Sequence, residues 1–221
     1  AALGPDYRCV SWDARGHGET ETEGSYSFWD QADDLIALMD HLSIDRAVLT
    51  GMSQGGYISL RATLKAPERA GGLFLIDSQA GTEPEHLVPG YEMMLERWLT
   101  GGPTPELAEA VAAIIISPAD HEPWVSKMMK RPAEYPRDPM NCLLNRDDIT
   151  DRLPEIEAPA LVVYGTADPT IPPERFEQLC EGLARCEGLV AVEGGGHAAN
   201  LSHPERVNEL LIDFCKRHAG Q

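Results

Sequence analysis

The chain has 221 residues, 43% of them hydrophobic, which suits one globular domain with a buried core. Its 36 acidic residues against 18 Lys and Arg leave a formal net charge of −18, which argues against binding nucleic acid or an anionic membrane surface. No apolar run is long enough to span a membrane, and the first residues lack the basic and apolar segments of a secretory signal. The composition therefore predicts a cytoplasmic protein.

The cysteines are odd in number and scattered along the chain: Cys9, Cys142, Cys180, Cys186 and Cys215. No two of them have the C-x-x-C spacing of a zinc or redox site. In a cytoplasmic protein, this pattern predicts reduced, buried thiols and no metal site.

Short strand-like runs alternate with helix-like runs along most of the chain. The predicted strands cover residues 7–12, 46–50, 72–77, 160–164 and 189–192, and the predicted helices cover residues 27–42, 54–65, 172–184 and 203–218. Because the strands are nearly continuous in apolar residues and alternate with helices, they predict an α/β fold with a mainly parallel sheet covered on both faces.

One segment interrupts this alternation. Residues 84–148 are rich in Pro, Met and Trp and carry helical patterns at 91–99, 105–116 and 123–129, without a clear strand. We interpret residues 1–83 and 149–221 as the α/β core, and residues 84–148 as a helical cap over the strand ends.

The most informative motif is Gly51-Met52-Ser53-Gln54-Gly55, which lies between a predicted strand and a predicted helix. Gly-x-Ser-x-Gly at such a junction is typical of a nucleophile elbow, a strained turn that exposes a serine. Side chains at the two glycines would be expected to collide with neighbouring backbone. The turn places Ser53 at a helix N-terminus, where the N–H of Gln54 can stabilise negative charge. An ordinary Gly/Ser turn that caps a helix is the alternative.

A serine nucleophile needs a base and a group that orients the base. His197 follows the last predicted strand after three glycines, and Asp168 follows the strand before it. Because the carboxyl ends of parallel strands meet at one rim, both should lie near Ser53. Asp77 also follows a strand and competes with Asp168, which could instead be a helix cap. His17, in a glycine-rich loop, is interpreted as a structural or pocket-rim residue.

These motifs, with the loops at residues 13–18, 165–169 and 196–197, resemble the α/β-hydrolase superfamily over nearly the whole chain. The chain order Ser, Asp, His is the order of that family. Within it the chain looks most like small carboxylesterases and lactonases, including those that act on acyl-homoserine lactones. The resemblance implies a serine nucleophile that forms an acyl-enzyme on a small ester or lactone substrate, with no metal and no organic cofactor.

The resemblance assigns Ser53, His197 and Asp168 as the catalytic triad and the Gln54 N–H as one oxyanion donor. An apolar acyl pocket in the cap would be lined by residues such as Trp98, Ile115, Trp124 and Met128, although packing of the cap against itself explains them equally well. Two alternatives remain open. One is a binding or signalling protein of the same fold with little turnover, and the other is a cofactor-free perhydrolase.

The chain departs from the family at its beginning. The predicted strand at residues 7–12 matches the family's fourth strand, so three strands and the loop with the second oxyanion donor have no counterpart in the sequence. A strand without its neighbour would leave unpaired backbone groups. We hypothesise that this sequence is an incomplete record of a longer enzyme. Alternatively, the first strand pairs directly with the strand before Ser53, or a second chain fills the gap.

Overall fold

The computed structural model describes residues 3–116 and 121–220. Within these ranges, four parallel strands form one sheet in the order in which they occur along the chain. The strands are β1 (Ala47–Met52), β2 (Ala70–Ile76), β3 (Ala160–Gly165) and β4 (Cys186–Val192). The parallel α/β fold predicted from the sequence is therefore confirmed. All four carboxyl ends lie at one edge of the sheet.

Helices connect and cover these strands. In the described residues they are α1 (Phe28–His41), α2 (Gln54–Lys65), α3 (Val88–Gly101), α4 (Pro105–Ile115), α5 (His121–Met128), α6 (Arg137–Leu144), α7 (Pro173–Gly182), α8 (Ala199–Ser202) and α9 (Pro204–His218). Helices α6 and α8 were not predicted. Helices α3 to α6 all lie between β2 and β3, and no strand occurs in the described part of that segment.

The two faces of the sheet follow from the alternation of side chains along each strand. Leu73 and Leu75 of β2 face the cluster that contains buried residues of α1, α2 and α7. Phe74 and Ile76, their neighbours in sequence, pack in a second cluster with Val207 and Phe214 of α9. Strand β2 is consequently buried along its whole length. It holds the residues that follow it inside the protein.

The first helix begins where its sequence predicts. The Ser27 side chain accepts a hydrogen bond from the backbone N–H of Asp30, and the Asp30 carboxylate accepts one from the N–H of Ser27 at 2.8 Å. This capping box satisfies two backbone donors that a helix start leaves free. It fixes the start of α1 against the loop before it.

Residues 7–12 do not form the predicted strand, so that prediction is wrong. They have no regular secondary structure, and Val10 is 45% exposed. Within the described residues, β1 pairs with β2 alone, so the segment does not close onto the strand before Ser53. Strand propensity cannot produce a strand without a neighbour to complete its backbone hydrogen bonds.

The prediction of five reduced, buried cysteines is also wrong. Cys180, near the end of α7, forms a disulfide with Cys186, the first residue of β4, and Cys9 is exposed. Cys142 and Cys215 alone match the prediction, since both are free and buried. The turn between α7 and β4 brings the bonded pair to a Cα–Cα distance of 5.4 Å, a proximity that their spacing in sequence does not reveal.

Among the described residues, no helix is both long and apolar enough to cross a membrane.

Candidate active site

Ser53 lies in a strained turn between β1 and α2. Its φ of 49° and ψ of −115° belong to a region that residues other than glycine rarely adopt. The turn is held on both sides, because the Ser53 N–H donates to the Ile76 carbonyl at 2.9 Å and the Ser53 carbonyl accepts from the Ser78 hydroxyl at 2.9 Å. Neighbouring strand β2 therefore supports the conformation that exposes the Ser53 side chain.

The glycines of the motif differ in what they contribute. A Cβ at Gly51 would overlap the backbone of Gly55 and Gly56, as predicted, but a Cβ at Gly55 would meet nothing within 4 Å. The second crowded position is Gly56, where a Cβ would overlap the side chain of Ser78. The expectation of a collision at Gly55 is therefore wrong. Close packing of the first turn of α2 against the end of β2 requires glycine one residue later.

Ser53, His197 and Asp168 form one continuous chain of hydrogen bonds. The His197 Nε2 atom lies 2.9 Å from Ser53 Oγ, and the His197 Nδ1 atom lies 2.8 Å from Asp168 Oδ2. The side chains of His197 and Asp168 are only 7% and 1% exposed. The structure thus brings Ser53 together with two residues more than a hundred positions further along the chain, at the carboxyl ends of β1, β3 and β4.

Thr170 completes the surroundings of Asp168, and the sequence interpretation missed it. Asp168 Oδ1 accepts hydrogen bonds from the Thr170 N–H and hydroxyl, both at 2.7 Å, and from the Ile171 N–H at 3.2 Å. The Thr170 oxygen also lies 2.8 Å from His197 Nδ1. Since a carboxylate and an oxygen already donating its hydrogen both face Nδ1, that nitrogen carries the proton and Nε2 is the acceptor towards Ser53.

The charge state of Asp168 follows from these contacts. Burial alone would raise its pKa, but the hydrogen bond and electrostatic interaction with His197, together with the Thr170 bonds, hold the pKa of Asp168 below its usual value. Asp168 is therefore a carboxylate near neutral pH. Its two oxygens combine the two roles considered from the sequence, because Oδ1 caps the loop and Oδ2 contacts His197.

The competitor Asp77 occupies a different place. Its carboxylate accepts hydrogen bonds from the backbone N–H groups of Gly165 and Ala199. His197 Nδ1 is instead bonded to Asp168, as expected from the sequence.

His17 is held in its own loop, with Nδ1 3.0 Å from the Arg15 carbonyl, which fits the structural role predicted for it.

Gln54 is the first residue of α2, so its N–H is among those that have no acceptor within the helix.

Tyr57, one turn further, is 2% exposed. Burial raises the pKa of Tyr57, although Arg146, whose guanidinium carbon lies 4.6 Å from the ring centroid, acts to lower it. Gln79 and Ser53 act to lower it as well.

The four predicted cap residues are not equivalent. Trp98 is buried and its Nε1 has no hydrogen-bond partner among the described residues, whereas Trp124 is 38% exposed with the Lys127 ammonium over its ring. Ile115 and Met128 are partly buried. Their contact with a substrate stays a prediction.

Tyr91 of α3, which the sequence interpretation did not select, interacts electrostatically with Asp168 and Tyr57. Burial, together with the charges of Glu83, Tyr57 and Asp168, raises its pKa to about 12. The apolar pattern of α3 indicated a helix but not which of its residues faces the site.

No group of three or more His, Cys, Asp or Glu side chains in residues 3–116 and 121–220 could hold a metal ion.

A parallel sheet with a strained serine at the end of one strand, and a His–Asp pair at the ends of two others, defines the class of α/β hydrolases. The match to the model of the α/β hydrolase family covers residues 1–210, and the chain belongs to that family. We therefore describe it as a hydrolase of this fold.

Curated relatives include a protein of Rhizobium rhizogenes named as a carbamate hydrolase, RutD. It is 31% identical, with 97% of this chain and 85% of the relative covered. A 2-hydroxy-6-oxononadienedioate/2-hydroxy-6-oxononatrienedioate hydrolase of Paraburkholderia phymatum is 30% identical, with coverages of 94% and 76%. These relatives are named as hydrolases of different substrates.

Solved structures of similar shape include an esterase from Thermogutta terrifontis, with a TM-score of 0.81, 27% identity, and coverage of 94% of this chain and 79% of that one. The enol-lactonase from Burkholderia xenovorans has a TM-score of 0.79, 25% identity, and coverages of 92% and 79%.

Proposed function

We propose that this protein is a serine hydrolase that cleaves small carboxylic esters or lactones through an acyl-enzyme intermediate. The observation that carries the proposal is the hydrogen-bonded chain from Ser53 Oγ through His197 to Asp168. The likeness to an esterase and to an enol-lactonase supports the substrate class.

The geometry supports one order of proton movements. His197 Nε2, 2.9 Å from Ser53 Oγ, takes the hydroxyl proton as Oγ attacks the substrate carbonyl carbon. Asp168 holds the proton on Nδ1 and stabilises the imidazolium. His197 then gives the proton to the departing alkoxide, leaving Ser53 acylated. A water molecule, deprotonated by the same nitrogen, attacks the acyl carbon, and His197 returns the proton to Ser53 Oγ as the bond to the acyl group breaks and the carboxylic acid leaves. With a lactone, the alkoxide and the acid belong to one ring-opened product.

The charge that develops on the carbonyl oxygen needs backbone donors. We assign the Gln54 N–H as one of them, because α2 begins at that residue beside Ser53. Removing one such donor typically costs about 3 kcal/mol in the transition state.

We assign residues 84–148, with helices α3 to α6, as a cap that supplies the substrate pocket, as the sequence predicted. Trp98, Ile115, Trp124 and Met128 remain candidate lining residues, and Tyr91 joins them on the basis of its electrostatic interaction with Asp168. The disulfide between Cys180 and Cys186 does not favour the predicted cytoplasmic location, since structural disulfides persist mainly in oxidising compartments.

The test is covalent labelling with a fluorophosphonate, which reacts with activated serines. The wild-type protein should be labelled, and Ser53→Ala should not. Ser126→Ala is the matched control, because the Ser126 hydroxyl bonds to Glu122 on α5 and should leave labelling unchanged. Absence of labelling in the wild type, or equal labelling of Ser53→Ala, would contradict the proposal and favour a binding protein of the same fold.

The substrate class is tested on a panel of p-nitrophenyl esters, acyl lactones and carbamates. Carbamates are included because relatives carry that name. Turnover of esters or lactones that depends on Ser53 supports the proposal. Turnover confined to carbamates, or peroxide-dependent halogenation without ester cleavage, would replace the proposed substrate class.

A further inference from the structure

Asp77 is a fully buried acidic residue directly after the central strand β2, and the proposed reaction does not use it. Its side chain is inaccessible to solvent, and its φ of 44° is unusual for a residue other than glycine. Its backbone N–H donates to the Val163 carbonyl of β3 at 2.9 Å. This backbone hydrogen bond fixes the position of Asp77 between the ends of β2 and β3.

The two carboxylate oxygens of Asp77 bond to two different loops. Oδ1 accepts from the Gly165 N–H at 2.7 Å, and Oδ2 accepts from the Ala199 N–H at 3.1 Å. Gly165 ends β3, three residues before Asp168, and Ala199 begins α8, two residues after His197. One side chain thus connects the segment that carries the proposed orienting group to the segment that carries the proposed base.

We propose that Asp77 is a positioning residue, whose ionised carboxylate holds the Asp168 loop and the His197 loop at the separation that the His197–Asp168 hydrogen bond requires. This inference rests on the proposed serine-hydrolase function. An ionised carboxylate is suited to the task because both of its oxygens only accept hydrogen bonds. A neutral amide or acid of the same shape would turn one oxygen position into a donor that faces a backbone N–H.

The setting of Asp77 would be costly for a residue that only fills space. Burial raises the pKa of Asp77 to about 7, although the N–H groups of Gly165 and Ala199 act to lower it. The charged groups that face it are Asp168, which raises its pKa, and His197, which lowers it. As the pH falls through this value, the carboxyl group takes up a proton, and one of its two oxygens becomes a hydroxyl, which is a donor and a much weaker acceptor. The connection between the loops should then weaken.

The test compares fluorophosphonate labelling rates of the wild type and Asp77→Asn from about pH 5.5 to 9, spanning the raised pKa. Asparagine has the same shape, tolerates a positive φ, and copies the hydrogen-bonding pattern of the protonated acid. Above pH 8 the variant should react about tenfold more slowly or worse, because a displacement of 1 Å between reacting groups can cost about a hundredfold. Below about pH 6 the two rates should converge, since Asp77 is then protonated in the wild type. A rate ratio that stays constant across this range would contradict the proposal.

Asp147→Asn is the matched control. It replaces another carboxylate that has a buried partner by a neutral amide. Asp147 bonds to the Arg61 guanidinium at 2.7 Å and to the Trp29 indole at 2.9 Å. It should lower stability without changing the labelling rate of the folded protein. Equal slowing in both variants would mean that Asp77 acts through general stability, which would overturn its positioning role.

A second measurement keeps the inference separate from the proposed function. The Nδ1–H of His197 should give a downfield proton NMR signal because it is bonded to Asp168. At about pH 8, that signal should move or broaden in Asp77→Asn and stay in place in Asp147→Asn. A wild type that shows no labelling would overturn the hydrolase proposal, whereas an unmoved signal in Asp77→Asn would overturn the role of Asp77. If Asp77→Asn does not fold, the labelling rate of the wild type at acid pH decides. We expect that rate to fall in more than one protonation step, and a fall that follows a single protonation would contradict the inference.

Discussion

Replacing Asp168 by Asn should abolish most of the activity without unfolding the protein, and the structure determines how. Asp168 Oδ1 accepts hydrogen bonds from three donors on Thr170 and Ile171. The amide oxygen of the variant must take that position, because an NH2 group there would face three donors. The NH2 group is then forced towards His197 Nδ1, which lies 2.8 Å from Asp168 Oδ2 in the wild type.

The size of the effect follows from the histidine tautomer. Facing an NH2 donor, Nδ1 of His197 has to accept, so the ring proton moves to Nε2, the atom 2.9 Å from Ser53 Oγ. Nε2 can then no longer take the serine proton. The same replacement in a serine protease triad costs about 10⁴-fold in kcat, which corresponds to about 5 kcal/mol of transition-state stabilisation. We expect a loss of this order here. KM should be nearly unchanged, because the Asp168 side chain is only 1% exposed.

The assay measures kcat and KM on the best ester of the panel, with urea unfolding to check that the variant is folded. Asp148→Asn is the matched control. Like Asp168 Oδ1, Asp148 Oδ1 accepts a hydrogen bond from the backbone N–H two residues later, at 2.8 Å. Asp148 takes no part in the hydrogen-bonded chain of Ser53 and His197. Activity of Asp168→Asn within tenfold of the wild type would refute the reasoning. It would mean that Asp168 does not control the tautomer.

Three further predictions concern stability and can be checked by urea unfolding. Gly51→Ala should lower the free energy of unfolding by about 1–3 kcal/mol through overpacking. Gly55→Ala, which has open space in α2, should be neutral or stabilising by up to about 1 kcal/mol. Similar losses in both variants would contradict the role given to Gly51. Ser27→Ala should cost about 1 kcal/mol by removing the capping box, and an unchanged unfolding midpoint would argue against that cap. Replacing Cys180 and Cys186 together by Ser should cost about 2 kcal/mol, as expected for a loop closed over a separation of six residues, and no change relative to the wild type would indicate that the thiols are reduced.

Local patterns determined much of the fold. The predicted strand at residues 160–164 and the predicted helix at 54–65 match β3 and α2 closely, because apolar runs and the Ser53 turn are local signals. Helix α6 was missed, because Pro132, Pro136 and Pro139 lie before it and in its first turn, where they suggest a loop. Residues 7–12 show the limit of such reasoning, because a strand exists only where another strand pairs with it.

The sequence by itself determined that Ser53, Asp168 and His197 lie at the carboxyl ends of parallel strands, because that follows from the order of the elements. The tertiary structure alone decided what surrounds them. The contact of Thr170 with His197 and the bonds of Asp77 to two loops depend on which side-chain and backbone groups of separate segments end up within 3.1 Å of one another. Hydrogen bonds of this kind join residues far apart in sequence. No local pattern encodes them, and they appear only when the sheet is assembled.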